Sequence, residues 1–315
     1  MSPSKHRIRI GTRASDLARW QAEHVAAALR AIPGAPEPEL VLIKTEGDRI
    51  QDVPLSQVQG KAFFTKEIEE SLLNDSVDLA VHSLKDLATE MPPGLVLGAV
   101  LEREDPRDAL LATSPASLED LPWGARVGTS SLRRRALLAR WRPDLDLAEL
   151  RGNVPTRIQK LDDGGYDAIV LAAAGVKRLQ MQDRISSYLP FERFLPAVSQ
   201  GAIGIQIRSQ DEEVARWVGA LDHPPTRFCT TAERALLRML EGGCHVPVGA
   251  FAELDGDTLS MRGVVCSLDG ARSVEGSISG PVGNAGALGI ALAQDLVSRG
   301  GNEILDGIRK AGGGR

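Results

Sequence analysis

The chain has 315 residues, 43% hydrophobic and 25% charged, the make-up of a globular protein of two or three domains and not of a fibrous or solvating chain. Its 37 basic and 42 acidic residues leave a net charge of −5, so the molecule as a whole is not drawn to nucleic acid or an anionic membrane, and any anion has to be held locally. The longest apolar run, Ala168–Val176, falls far short of the ~20 residues of a membrane helix, and the start of the chain lacks the apolar stretch of an export signal, so a cytoplasmic protein is expected.

From the N-terminus, Arg7–Gly11 alternates like a short strand, and Ser15 or Asp16 can cap a helix that gathers Leu17, Trp20, Val25 and Ala28 on one side. An apolar run at Leu40–Ile43, a helix from Thr65, a strand at Leu79–Val81 and an apolar run at Leu95–Leu101 continue the alternation. Such alternation predicts a mostly parallel sheet covered on both faces. The stretch Glu102–Arg107 reads as a crossover, after which strand Arg126–Gly128, a helix capped near Ser130 or Ser131, strand Leu145–Leu150, helix Val154–Leu161, strand Ala168–Leu171 and a helix near Lys177 form a second series. Two lobes of this kind enclose a cleft, and ligands bind beyond the carboxyl ends of their strands.

Ala202–Ile207 reads as a further strand, assigned to the first lobe. Thr230 and Glu233 have the spacing of a capping box for a helix ending at Gly242–Gly243. Strands Val246–Phe251, Leu259–Cys266 and Ser273–Ser279, joined at Asp255-Gly256 and Asp269-Gly270, predict an antiparallel meander, followed by a last helix to about Ser298 and a disordered glycine-rich tail. The expected architecture is α/β, two doubly wound lobes and a smaller α+β domain, with boundaries 1–103 plus 201–220, 104–200 and 221–315.

Between Arg126 and Lys160 nine basic residues face three acidic ones. Arg133 and Arg134 follow Gly128-Thr-Ser-Ser131 at a predicted helix start, where backbone N–H groups, hydroxyls and guanidinium forks together hold a carboxylate or phosphate. Arg135 and Arg140 read as solvated surface. Arg151 lies past another strand, with Arg157 in the helix that follows. In the first lobe Arg13, Ser15 and Lys61 occupy turns that also suit an anion, although neither turn has the spacing of a P-loop or a dinucleotide-binding loop.

His82-Ser83-Leu84-Lys85-Asp86 closes an apolar strand. Asp86 there is a candidate acid/base if its carboxyl is walled off from water near basic groups; the bland alternatives are a cap or a pair with Lys85. His82 reads as structural, holding a loop through its ring nitrogens. The three cysteines are odd in number and lack CxxC spacing, which excludes a disulfide framework and a zinc site. Cys229 and Cys266 read as buried apolar residues, whereas Cys244 follows two glycines in a loop able to project its sulfur.

Eight segments in this order, IGTRASDLARWQ, GKAFFTKEIEESLL, DLAVHSLKDL, EREDPRDALL, VGTSSLRRR, LRGNVPTRIQKLDDGGYDAIVLAAAGVKRL, LPAVSQGAIGIQ and LEGGCHVPVGAFAEL, resemble the porphobilinogen deaminase (hydroxymethylbilane synthase) family. The resemblance implies two lobes like type II periplasmic binding proteins and a third domain whose Cys244 carries a covalent dipyrromethane cofactor through a thioether. It implies deamination of four porphobilinogen molecules, their head-to-tail joining on that primer, and release of the linear tetrapyrrole hydroxymethylbilane with water. Asp86 matches the catalytic aspartate. Lys85, Ser131, Arg133 and Arg134 match cofactor contacts, and Arg13, Ser15, Arg151, Arg157 and Arg178 match substrate contacts. No metal, nucleotide or nucleic acid is implied, and a monomer is expected. Ala62, Ala88, Ser199 and Gln206 depart from the family pattern: Ala88 stands where a proline stiffens the turn after Asp86, and Ser199 and Gln206 are expected near the hinge between the lobes. The competing readings are a non-catalytic binding protein for small carboxylates and a thiol enzyme with an acyl intermediate on Cys244.

Overall fold

A computed structural model describes residues 7–45, 65–114, 117–240 and 246–313. These fall into two compact units, one built from 7–45, 65–103 and Ala202–Arg227, the other from the remaining described residues between Glu104 and Gly201 and from Phe228 onward.

The first unit contains β1 (Arg7–Arg13), α1 (Asp16–Arg30), β2 (Glu37–Ile43), α2 (Lys66–Leu73), β3 (Leu79–Ser83), β4 (Leu95–Val100), β10 (Ile203–Arg208) and α6 (Glu212–Gly219). Ile8 and Ile10 of β1 pack with Val25 and Leu29 of α1, with Leu79 and Val81 of β3 and with Ile203, Ile205 and Ile207 of β10. The sheet order is β2-β1-β3-β10-β4. β1 runs parallel to β2 and β3, whereas β10 runs antiparallel to β3 and β4. The predicted parallel sheet therefore carries one reversed strand. Its cause is the connection: β10 is entered from Gly201–Ala202 without a crossover helix, so it starts at the edge where β3 ends, Ile203 opposite Ser83.

The second unit repeats the plan. β5 (Asp108–Ala112), β6 (Arg126–Gly128), α3 (Leu132–Trp141), β7 (Asp146–Ala148), α4 (Val154–Asp162), β8 (Ala168–Ala172), α5 (Ala173–Arg178) and β9 (Ser187–Tyr188) give the order β7-β6-β8-β5-β9. β5 is antiparallel to β8, and its first residue, Asp108, lies opposite Ala172, the last of β8. The reversed strand thus delivers its beginning to the edge where the parallel strands end. β5 and the two-residue β9 are absent from the sequence reading, which ends its crossover at Arg107.

After α7 (Pro224–Met239), strands β11 (Val248–Asp255), β12 (Thr258–Cys266) and β13 (Ser273–Pro281) form the expected meander, covered by α8 (Ala285–Leu296) and a further, unpredicted α9 (Asn302–Gly313). This sheet shares a core with the one before it, since Val264 and Cys266 pack with Leu137, Phe194 and Leu195, and the Ala250 N–H donates to the Pro196 carbonyl at 3.0 Å. At the β12–β13 turn Gly270 has φ +73°, and a Cβ there would sit 2.3 Å from the Arg140 backbone nitrogen. Both facts restrict the position to glycine.

Thr230 and Glu233 do not cap a helix. α7 begins six residues earlier at Pro224, a residue suited to a first helical position, where the Thr226 N–H points to His223 Nδ1 at 3.4 Å. Glu233 is instead fully buried inside the helix, accepting the backbone N–H groups of Ser199 and Ala252.

Candidate active site

In the first unit β1 and β3 are parallel neighbours with Gly11 opposite Ala80, so the loops leaving their carboxyl ends, Arg13–Ser15 and Ser83–Asp86, emerge at one edge. Ser15 caps α1, its Oγ accepting the Ala18 N–H at 3.4 Å. Gln21 of the same helix donates to Ser83 Oγ at 2.9 Å and ties α1 to the end of β3. Leu84–Asp86 is a single 3-10 turn. The Leu84 N–H donates to the Ala202 carbonyl at 3.0 Å, and Leu84 and Leu87 are buried against Val100 and Ala202. These two leucines pin the turn on either side of Lys85 and Asp86, in place of the proline that Ala88 replaces. Between the anchors Lys85 is half-buried and Asp86 exposed. The Asp86 carboxyl is thus not walled off from water by the fold, because a turn anchored by its first and fourth residues directs the position between them outward.

His82 lies beneath this turn, buried, with Nε2 lacking a hydrogen-bond partner among the described residues. That nitrogen holds no loop. Burial pushes the imidazole down to about 4 against the opposing effect of the Gln206 side chain, and the positive charge of Arg13 adds to the lowering. Gln206 lies inside the same core, on the face of β10 that carries Gly204 opposite His82. Its Nε2 donates to Glu69 Oε1 at 3.1 Å and contacts Met91 Sδ at 3.3 Å, while burial pushes the Glu69 carboxyl up.

In the second unit β6 ends at Gly128, and Thr129–Ser131 leads into α3. Ser131 is the cap, its Oγ accepting the Arg134 N–H at 3.4 Å. Ser130 Oγ donates to the Leu150 carbonyl at 2.6 Å and binds this loop to the next strand end. Arg133 and Arg134 are buried, not open forks. Arg133 Nη1 donates to Asp108 Oδ2 and to the Leu195 carbonyl, both at 2.8 Å, and Arg134 Nε donates to Asp108 Oδ1 at 2.8 Å. Arg135 donates to the Leu147 carbonyl and Arg140 pairs with Glu275.

Past β7, Gly152 takes φ +118°, a left-handed value open to glycine, and Asn153 caps α4 through the Thr156 N–H at 2.9 Å. Arg157 Nε donates to the Gly152 carbonyl at 2.8 Å. Arg151 is half-buried, and its Nη1 has no partner among the described residues. Arg178, at the end of α5, is buried and donates to the Gly201 carbonyl at 2.7 Å; burial pushes it down to about 10, which leaves it charged at neutral pH. Cys244 and Lys61 lie outside the described residues. Cys229 and Cys266 are buried, and burial pushes the Cys266 thiol up, so neither is a nucleophile.

One family model, described as the porphobilinogen deaminase dipyromethane cofactor binding domain, matches residues 8–216, and a second, the porphobilinogen deaminase C-terminal domain, matches residues 227–298. A porphobilinogen deaminase of Geobacter metallireducens is 52% identical over 306 residues, covering 97% of this chain and 95% of that protein. The chain belongs to the porphobilinogen deaminase family. Among solved structures, a periplasmic substrate-binding protein of an ABC transporter from Coxiella burnetii has a TM-score of 0.44 at 15% identity, covering 70% of this chain and 94% of its own. The B. pertussis BvgS periplasmic domain has a TM-score of 0.40 at 15% identity, covering 68% of this chain and 39% of its own.

The residues present fit the family's dipyrromethane cofactor. Two guanidinium groups share the carboxylate of Asp108, and Arg133 Nε and Arg151 Nη1 are buried donors without partners among the described residues. A donor set in excess of its acceptors suits a ligand that carries several carboxylates. Asp108 escaped the sequence reading although it stands in a family segment, since its position 25 residues before Arg133 acquires meaning only when β5 is reversed.

Proposed function

We propose that the protein is a hydroxymethylbilane synthase of tetrapyrrole and haem biosynthesis, a transferase that joins four porphobilinogen molecules on a dipyrromethane primer and releases the linear tetrapyrrole with water. The observation that carries this reading is the surplus of donors in the second unit, where Arg133 and Arg134 share one carboxylate and Arg133 Nε and Arg151 Nη1 are buried without partners among the described residues. When bound, the dipyrromethane supplies the nucleophilic pyrrole carbon to which units are added.

On this reading Ser131, Arg133, Arg134 and Lys85 hold the cofactor's carboxylates, and Arg13, Ser15, Arg151, Arg157 and Arg178 hold those of the substrate. Asp86 moves the protons; its carboxyl, exposed at the turn, is open to a substrate, and on this reading the bound substrate, not the fold, shuts it off from water. Its carboxyl group donates to the departing amine of the substrate, faces the cationic methylene-pyrrole left behind, and accepts the proton lost when the joined ring regains aromaticity. Cys244 is the attachment point in a third domain beginning near residue 221, after lobes of 1–103 with 201–220 and of 104–200. The enzyme acts as a cytoplasmic monomer without nucleic acid; the net charge of −5 supports the last of these points.

The test is turnover of porphobilinogen by the purified protein, with four ammonia molecules released per bilane. Asp86→Asn should lower ammonia release at least ~100-fold, in the range of lost acid–base catalysis, with the thermal midpoint unchanged because the side chain is exposed. Near-normal release by this variant would remove Asp86 from the chemistry. No release by the unaltered protein would return the reading to a binding protein for small carboxylates.

A further inference from the structure

Asp108 is fully buried at the first position of β5. Its Oδ2 accepts Arg133 Nη1 at 2.8 Å, and its Oδ1 accepts Arg134 Nε at 2.8 Å, lies 2.7 Å from Arg134 Nη2 and is 3.2 Å from Gln200 Nε2. The outer ends of both arginines are tied to backbone as well, Arg133 to the Leu195 carbonyl and Arg134 to that of Val170 at 3.0 Å. Each guanidinium is thereby fixed between a carboxylate and a carbonyl.

We infer that Asp108 is a positioning residue for the cofactor's carboxylates, acting through Arg133 and Arg134; this rests on the proposed function. A long, flexible arginine ordered only on binding loses its freedom at that moment, whereas one held beforehand by a carboxylate brings its charge and its remaining donor, the buried Arg133 Nε that has no partner among the described residues, ready placed. The same carboxylate keeps two like charges together in a buried place, where their repulsion would otherwise separate them or draw in water. Asp108 can do this only because the antiparallel β5 starts at the edge where β8 ends. Asparagine has the same shape without the charge, and glutamate keeps the charge on a longer arm.

The test is the intact mass of the full-length protein purified as wild type, Asp108→Asn and Asp108→Glu, read as the fraction carrying two added pyrrole units, together with the thermal midpoint and, for the loaded fraction, kcat and KM for porphobilinogen. We expect the loaded fraction to fall at least ten-fold in Asp108→Asn with a cooperative melt retained, and to recover partly in Asp108→Glu. In the molecules that do load, kcat should fall while KM stays within two-fold, a split that general loss of structure does not give. Loading of Asp108→Asn equal to wild type overturns the inference, whatever its melting point. Should Asp108→Asn fail to fold, Asp108→Glu decides: a loaded fraction below half of wild type supports the positioning role, and full loading overturns it. Wild-type protein without the adduct overturns both this inference and the functional reading beneath it, whereas a loaded wild type beside an equally loaded Asp108→Asn removes the inference alone.

Discussion

Glu233 Oε2 accepts the backbone N–H of Ser199 at 2.6 Å, and Ser199 is held there with φ at 62°, in the left-handed region. Its Oγ is buried and has no partner among the described residues. A non-glycine residue in this conformation costs about 1–2 kcal/mol, and an unsatisfied buried hydroxyl adds to that, against the smaller entropic cost of glycine. Ser199→Gly is therefore expected to stabilise the protein by about 1 kcal/mol, read as a higher urea midpoint with an unchanged slope. A lower midpoint would show that the serine hydroxyl contributes more than its backbone costs.

A pH effect on stability arises at His82. Its pKa is lowered from 6.5 to about 4 by burial, so between those values the unfolded chain binds a proton that the folded chain refuses. Stability present above pH 6.5 is lost as pH falls through this window, by about 2 kcal/mol from pH 6.5 to 5. Glu69, whose carboxyl burial pushes up, has the opposite sign and offsets part of the loss, because its folded form takes up a proton first as pH falls. His82→Asn should accordingly flatten or invert the decline, measured as urea midpoints at pH 7, 6 and 5. An unchanged decline would place the titration elsewhere.

Local chemistry and backbone pattern were readable from the sequence to different depths. Arg133 and Arg134 stand out because nine basic residues cluster in one segment, and Asp86 because a charged pair closes an apolar strand. The meander from β11 to β13 is legible in its Asp-Gly turns. What the sequence hides are relationships that need the fold. Asp108 meets Arg133 only through a reversed strand. The spacing of Thr230 and Glu233 satisfies a capping pattern, yet the helix starts at Pro224 and turns Glu233 into a buried clamp on Ser199 and Ala252. Gln206 sits at a strand centre, where its amide reaches Glu69, because β10 enters the first sheet beside β3.

The covalent primer is the claim on which the rest depends, and the intact mass of the purified chain tests it directly. The account expects the sequence mass plus two pyrrole units in the wild type and the bare sequence mass in Cys244→Ser, since the other two cysteines are buried. An unmodified wild-type chain that makes hydroxymethylbilane at full rate, or an adduct that persists in Cys244→Ser, would contradict it.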